Sequence, residues 1–461
     1  MTDVLSATGA DRISPASITM KRQAAAALVY LVFAANAAMI VWLWVHGGNL
    51  HPKTTGEALT SVGRITGLLS AYLALIQVVL LARLPALERA VGLDRLTVWH
   101  RWNGHACIDL VVAHVVFSVW GYALMDRLSI PKELSTMLGG GVYPGMITAT
   151  IGTVMLIAVV ATSIVIVRRR LRYEWWYAVH LLAYGGIALA WFHEIPTGNE
   201  LVLDREAADY WRGLYLATIA VLVVFRVFAP LAQFARHRLR VAEVIDEAPG
   251  VVSLRIVGRH LDRLQAEPGQ FFLWRFIDRR RVWSAHPFSL SAAPDGASLR
   301  ITVKALGDHS ARLATVRPGT YVLAEGPFGT FTETRRRRRR VLLIAGGIGI
   351  TPIRAMVERM RGDVIVVYRA LADGDLVFKD ELDELVAQRG GGLTVHYVVG
   401  DHRGEGAALL SPAHLVDLVP DAAERDVFLC GPPAMTDVIG ANLRQAGVPR
   451  RNLKLERFAL T

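Results

Sequence analysis

Cysteine is almost absent from this chain. Its 461 residues include two, Cys107 and Cys430, far apart in sequence. That excludes a disulfide framework and any four-cysteine iron–sulfur or zinc site within the chain. The first 20 residues are polar and lack an apolar core, so no cleavable secretory signal is expected. Long apolar runs are missing after about residue 235, where the composition becomes that of an ordinary soluble α/β protein. Acidic residues are outnumbered, 40 against 51 Lys and Arg, for a net charge of +11. The cations sit mostly where membrane topology places them and no recognition fold accompanies them, so no nucleic-acid partner is expected. The run "RRRRRR" (Arg335 to Arg340), just before an apolar strand, reads as a solvated linker. There is no internal repeat.

The hydrophobic content, 53%, is high for a soluble protein, and it is concentrated in the first half. Six windows, near 23–45, 65–82, 103–124, 146–167, 175–192 and 213–229, are apolar enough to cross a bilayer as helices. Cationic loops orient them. Lys21 and Arg22 precede the first window, and Arg83, Arg89, Arg95 and Arg101 lie between the second and third. "RRRLR" (Arg168 to Arg172) separates the fourth and fifth, and Arg236, Arg238 and Arg240 follow the sixth. The alternate loops hold few cations and several acids, among them Glu194, Glu200, Asp204 and Glu206. The expectation is an integral plasma membrane protein with six spans and both termini cytoplasmic.

Beyond the spans the pattern changes twice. "VVSLRIV", "QFFLWRF", "LRITVKAL" and "YVLAEGP" are short strands with turn signals, which predict a small antiparallel β-barrel. From 341, "VLLIA", "TPIRAMVERM", "DVIVVYRA" and later alternations to "RDVFLCGPPAM" predict an α/β doubly wound parallel sheet. The expected fold is therefore multidomain. It comprises a polar tail (1–20), a six-helix transmembrane bundle (21–233), an antiparallel β-barrel (234–340) and a nucleotide-binding α/β domain (341–461).

The third window opens with "HRWNGHACIDLVVAH". Imidazoles are costly in hydrocarbon unless something binds them. His100 and His114 are 14 residues apart, which leaves them about 40° from alignment on one helix face and about 21 Å apart along it. A second helix carries His180 and His193, 13 apart. Haem iron accepts neutral imidazole axially, and its porphyrin suits an apolar bundle interior. Four histidines on two helices would hold two stacked haems. Thirteen residues of regular helix leave the second pair about 140° out of line, and a bend at "YGG" (Tyr184 to Gly186) is the expected repair. His105 lies on another face without a counterpart and is expected to be hydrogen-bonded or interface-lining.

In "HPFSLSAAP", His286 and Pro287 lead to Phe288, placed to stack on a flavin ring, and Ser289, placed to hydrogen-bond its N5 edge. "KALGDHSARL" follows, with Gly307 and Ser310 as candidate donors to a pyrophosphate. "EGPFGT" adds Gly326 and Gly329. In "LLIAGGIGITPIRAM" an apolar strand runs into Gly346, Gly347 and Gly349, and Thr351 and Pro352 open a helix. Glycine permits close approach of backbone to phosphate, and the helix N-terminus attracts the anion. The spacing is not GxGxxG, so the usual dinucleotide fingerprint is not claimed. The second strand ends in "VVYRA", where Arg369 suits a 2′-phosphate and favours NADPH; Arg403 is a second candidate. In "FLCGPPAM", Gly431 and Pro432 follow Cys430, which either flanks the nicotinamide or is a buried structural cysteine.

Together these residues resemble the NADPH oxidase and ferric reductase superfamily of transmembrane flavocytochromes b. The resemblance covers nearly the whole chain after residue 20. It rests on the histidine pairs, "HPFSLSAAP", "GPFG", "GGIGITP", "CGPP" and the closing "LERF". It implies an electron path from NADPH through FAD to an inner haem held by His100 and His180, then to an outer haem held by His114 and His193. The acceptor across the membrane is expected to be O2, giving superoxide. Ferric chelate is the alternative within the same architecture, and a haem-free membrane-anchored flavin reductase is the alternative outside it. The resemblance also implies that Phe458 covers the flavin until nicotinamide displaces it, with Glu456 and Cys430 beside the hydride-transfer position. Gly185 and Gly186 stand where the family's oxidases often carry a bulky aromatic, which leaves the inter-haem route open. Arg64, at the outer end of the second span, reads either as a propionate or acceptor-site cation or as a snorkelling side chain. With no calcium-binding or regulatory extension and no obligatory protein partner evident, constitutive or substrate-set activity is expected.

Overall fold

The computed structural model describes residues 15–139, 143–168, 170–171, 173–197, 199–401 and 409–458. The chain divides into two compact units, one over Lys21–Val227 and a second from Phe228 onward.

Among the described residues, six helices of the first unit are long and apolar enough to cross a membrane. They are α1 (Pro15–Trp44), α2 (Thr55–Leu80), α3 (Leu93–Met125), α4 (Met146–Ser163), α5 (Tyr173–Thr197) and α6 (Arg205–Val223). Hydroxyl and carboxylate caps start two of them. Thr54 accepts from the Glu57 amide at α2, and Asp204 accepts from the Glu206 and Ala207 amides at α6, satisfying donors that a helix start leaves unpaired. α2 packs along the whole of α3, and α4 along α5. Glycine sets the second crossing. A Cβ on Gly152 would lie 2.8 Å from the Gly186 carbonyl oxygen, and one on Gly186 would lie 3.0 Å from that of Gly152. α5 therefore runs as unbroken α-helix through Gly185 and Gly186. Gly186 serves close backbone approach there, as small residues do between membrane helices, and Gly185 admits the Met155 side chain. Ile40, Leu68, Tyr72, Trp211 and Tyr215 form the buried core shared by α1, α2 and α6.

The second unit begins with α7 (Ala229–His237). Six strands follow: β1 (Arg240–Ala248), β2 (Val251–Val257), β3 (Phe271–Phe276), β4 (His286–Ser289), β5 (Ser298–Lys304) and β6 (Val322–Phe328). They form two antiparallel three-stranded sheets, β1-β2-β5 and β4-β3-β6. Isolated antiparallel bridges join the sheets at both edges, Arg240 to Tyr321 and Leu290 to Ile301. Backbone bonds at the same edges, Val241 N to Thr320 O (2.9 Å) and Ser291 N to Arg300 O (2.8 Å), complete the circuit 1-2-5-4-3-6. The barrel closes around Leu254, Ile256, Phe272, Trp274, Leu290 and Ile301, all fully buried.

Five parallel strands make the last sheet, in the order β11-β10-β7-β8-β9. They are β7 (Arg340–Gly346), β8 (Asp363–Ala370), β9 (Leu393–Val399), β10 (Asp426–Gly431) and β11 (Leu453–Arg457). Helices α8 (Ile350–Arg359), α9 (Lys379–Arg389) and α10 (Pro433–Gln445) accompany them. Apolar clusters cover both faces of the sheet, as a doubly wound fold requires. The strand order reverses between β7 and β10, the switch point where such folds bind ligands. Arg335 to Arg340 is not a free linker. The Arg337 and Arg338 amides donate to Asp426, Arg336 donates to the Arg338 carbonyl (2.7 Å), and Arg340 pairs with Asp421 and Glu424 (3.2 Å each). The run anchors the foot of β7, because its amides and guanidiniums meet the buried Asp426 and the loop before β10.

Candidate functional site

The histidines come first. His100 and His180 face each other across the gap between α3 and α5, their ring centres 6.1 Å apart and their planes turned by 47°. Two metal–imidazole bonds of about 2 Å, plus about 1.1 Å from each ring nitrogen to its ring centre, predict about 6 Å for an axial pair on one metal. α3 and α5 do not pack along each other as α2–α3 and α4–α5 do.

Each of the four rings has its Nδ1 engaged. His100 Nδ1 donates to the Gln77 carbonyl at 3.2 Å, and His114 Nδ1 to that of Gly63 at 2.7 Å. His180 Nδ1 lies 3.4 Å from Ser163 Oγ, and His193 Nδ1 3.1 Å from Thr197 Oγ1. A ring held by one nitrogen presents the other in fixed orientation, the arrangement that metal-binding histidines share. Among the described residues no three His, Cys, Asp or Glu side chains converge as a metal site. The donor set is thus paired imidazoles facing each other between two helices, which fits haem. His105 is exposed. Arg64 donates to Asn49 Oδ1 at 3.0 Å, so a local hydrogen bond holds it at the outer end of α2.

Sequence reading missed the contribution of α2. Gln77 accepts from the His100 ring, donates to the His100 carbonyl (2.8 Å) and accepts from Asn103 (2.6 Å). A Cβ on Gly67 would lie 2.6 Å from His114 Nδ1, so glycine there is what admits the ring. The available signal was "GRITG", two small residues four apart in an apolar span.

In the barrel, β4 pairs with β3, placing His286 opposite Trp274, Pro287 opposite Leu273, Phe288 opposite Phe272 and Ser289 opposite Phe271. Phe288 is half-buried against the barrel core, and its carbonyl accepts from Trp274 Nε1 at 2.9 Å. Ser289 is buried. Gly307 and Ser310 are turned on each other. Ser310 Oγ accepts from the Gly307 amide (3.1 Å) and donates to the Gly307 carbonyl (2.9 Å). Gly326 and Gly329 make room for rings of β3. Their Cβ atoms would lie 2.7 Å from Phe272 Cδ1 and 3.1 Å from Phe271 Cδ1.

At the switch point the glycines divide their work. A Cβ on Gly346 would meet the Met435 sulfur at 2.1 Å, and one on Gly349 would meet the Cys430 carbonyl at 2.4 Å. These two let β7 and its turn close on β10. Gly347, at φ +52°, faces open space and is the position free for a ligand. Thr351 and Pro352 are buried in the first turn of α8, where Thr351 Oγ1 donates to the Ile348 carbonyl at 3.0 Å. Arg369 stands opposite Gly346 in register, and its guanidinium donates to the Val398 (3.2 Å) and Gly400 (2.5 Å) carbonyls. Arg403 lies outside the described residues. Cys430 is fully buried in the core of the sheet, and burial pushes its thiol well above the ordinary range, with Glu456, its register partner on β11, adding to the shift. Gly431 packs on Gly346, and Pro432 precedes α10. Phe458 leans on the same core, its amide donating to the Gly431 carbonyl at 3.2 Å.

The chain combines an apolar six-helix unit with a barrel followed by a switch-point sheet. Residues 66–191 match the family described as ferric reductase like transmembrane component, and residues 343–440 match the oxidoreductase NAD-binding domain. The chain thus joins a segment that matches a ferric reductase-like membrane component to one that matches an oxidoreductase NAD-binding domain. Among curated proteins it is similar to the ferredoxin reductase component of 3-ketosteroid-9-alpha-monooxygenase from Mycolicibacterium smegmatis. The two are 32% identical over 234 residues, 48% of this chain and 65% of that protein. It is also similar to the glycine betaine monooxygenase reductase subunit of Chromohalobacter salexigens, at 28% identity over 49% of this chain and 65% of that one. The chain thus spans just under two thirds of these relatives. Among solved structures, the FAD/NAD-binding domain of nitric oxide dioxygenase from Vibrio cholerae O1 biovar El Tor aligns with a TM-score of 0.40. The identity is 24%, covering 48% of this chain and 99% of that one.

Proposed function

We propose that this protein carries electrons from cytoplasmic NADPH, by way of FAD and two b-type haems, to an acceptor beyond the plasma membrane. The acceptor is O2: NADPH and two O2 give NADP+, a proton and two superoxide ions. The observation that carries this reading is the separation of His100 and His180. Their rings stand at a spacing from which both could hold one haem iron, on helices that do not pack along each other. His114 and His193 form the outer pair, one end of the bundle away. When bound, flavin converts a hydride pair into single electrons and haem iron carries them one at a time, the chemistry that the crossing demands.

The chain's own residues orient and insulate. Gln77, Gly63, Ser163 and Thr197 hold the four rings by Nδ1 so that Nε2 points to the metal. Phe288 and Ser289 contact the flavin ring and its N5 edge. His286 and Pro287 set the strand that carries them, and Gly307, Ser310, Gly326 and Gly329 shape the pyrophosphate side. The Gly347 turn receives the nucleotide phosphates at the start of α8, with Gly346, Gly349, Thr351, Pro352, Gly431 and Pro432 packing that turn. Arg369 recognises the 2′-phosphate. Phe458, Glu456 and Cys430 bound the position where nicotinamide meets flavin, and burial keeps the Cys430 thiol neutral there.

A dithionite-reduced visible spectrum of the full-length protein tests the reading. Bis-histidine b-type bands that weaken in His100→Ala and in His193→Ala are the expected result. Flavin absorption without a Soret band, after reconstitution with haemin, would retire it in favour of a haem-free anchored reductase. NADPH-driven superoxide formation, measured with and without competing ferric chelate, separates the two acceptors.

A further inference from the structure

The loop from Ile277 to Ser284 is rigid, yet it displays a tryptophan to solvent. Arg281 is buried and fastens the loop, pairing with Asp278 and donating to Thr315 Oγ1 at 2.6 Å. Arg275 adds a bond to the Val282 carbonyl at 2.6 Å. Asp278 also accepts from the Arg280 and Arg281 amides, 2.9 Å each, so the loop's one carboxylate is turned inward. What faces out is Trp283, 87% exposed, with Ile277, Arg279 and Arg280. The fold gains nothing from an indole in water. Exposed apolar side chains rimmed by cations mark interaction surfaces.

Position identifies the partner. The Ile277 amide donates to the Tyr321 carbonyl at 2.8 Å, and the Tyr321 ring meets Phe234 of α7 edge-on at 6.1 Å. α7 is the last part of the apolar helix that runs from Arg205 to His237. From Phe228, itself 62% exposed, to Phe234 the helix rises only about 9 Å. The loop is therefore tied, through Tyr321, to the helix turn that directly continues the sixth apolar span. Tryptophan favours the headgroup level of a bilayer, and arginines near an anionic surface add about fivefold each to binding. Exposed Arg236 and Arg238 at the end of α7 extend the positive side.

We propose that the loop Ile277–Ser284, with Tyr321, is a membrane-docking surface that seats the barrel on the anionic inner leaflet by Trp283 insertion and Arg279 and Arg280 pairing. This goes beyond electron transfer and needs no haem or flavin to hold.

The test uses the full-length protein in lipid nanodiscs, with Trp283 kept, a nitroxide on Ser284→Cys beside it, and labelling of the parent chain (Cys107, Cys430) as background. In discs containing phosphatidylglycerol, the label should be accessible to oxygen and shielded from a water-soluble nickel chelate. Arg279→Gln and Arg280→Gln should each lower the docked-to-free ratio about fivefold, and pure phosphatidylcholine should act in the same direction. NADPH-driven reduction of a soluble dye should persist in these variants, showing that the reductase half is folded. A label open to the nickel chelate in both lipids overturns the proposal. So does shielding that ignores both lipid charge and the arginine substitutions, since the loop would then be covered by protein.

Discussion

Arg300 on β5 grips Glu381 on α9 with both terminal nitrogens, at 2.8 and 2.9 Å, tying the barrel to the nucleotide sheet. Arg354 of α8 joins the same carboxylate at 2.6 Å, and both guanidiniums lie over the Phe378 ring. Burial works against the charged form, but Arg300 and Arg354 outweigh it and hold the Glu381 carboxyl below its usual value. A depressed carboxyl contributes stability that is present above the unfolded value near 4 and is lost as pH falls through the folded one. Glu381→Gln leaves two cations confronting each other in a part-buried site and should cost about 3 kcal/mol. Thermal unfolding of full-length protein at pH 7 and at pH 4 checks both statements, and the gap between parent and variant should shrink at the lower pH.

Gly67→Ala is a test of α2 as the support of the outer ring. A methyl 2.6 Å from His114 Nδ1 must displace the imidazole or part the helices. The reduced spectrum should lose the outer-haem contribution while the inner one persists. Gln77→Leu removes the side-chain bonds to the His100 carbonyl and to Asn103 but keeps the Gln77 carbonyl that holds the ring, so the inner-haem bands should shift without being lost.

Cys430 should resist alkylation. With its side chain fully buried and its thiol pushed well above the ordinary range, N-ethylmaleimide at pH 8 should modify it only in denaturant. The raised value also fixes a sign. The unfolded thiol ionises near 8.5 while the folded one stays protonated, so stability falls above that pH by about 1.4 kcal/mol per unit. Cys430→Ala should remove this component of alkaline destabilisation.

Arg369→Ala should raise KM for NADPH by about tenfold, the loss of one charge-assisted hydrogen bond, and leave NADH almost unchanged. Equal effects on both nucleotides would assign Arg369 to fastening β8 and β9 through the Val398 and Gly400 carbonyls instead.

Much of this architecture is legible because membrane spans and parallel sheets have loud signals. Six apolar windows became six helices, and the barrel and doubly wound sheet follow from changes of hydrophobic period. What the pattern hid lies between elements. Gly185 and Gly186 read as a bend because helical geometry leaves His180 and His193 out of line; only the neighbouring helix shows that Gly186 packs on Gly152 and Gly185 on Met155. Gln77 and Gly67 carry no local signature of ring support, since their role depends on the α2–α3 register. The arginine run reads as a solvated linker because its partners, Asp421, Glu424 and Asp426, come some 80 residues later. Gly346 and Gly349 look like phosphate-cradle glycines, yet both are needed to seat β10.

The glycine crossing of α4 and α5 bears on how the bundle can breathe. Backbones already in contact have no slack to give, so that pair moves as one stave, and the long α2–α3 contact makes a second. Admission of a bulky planar guest then means parting the staves sideways, from the lipid, while each keeps its own internal seam shut.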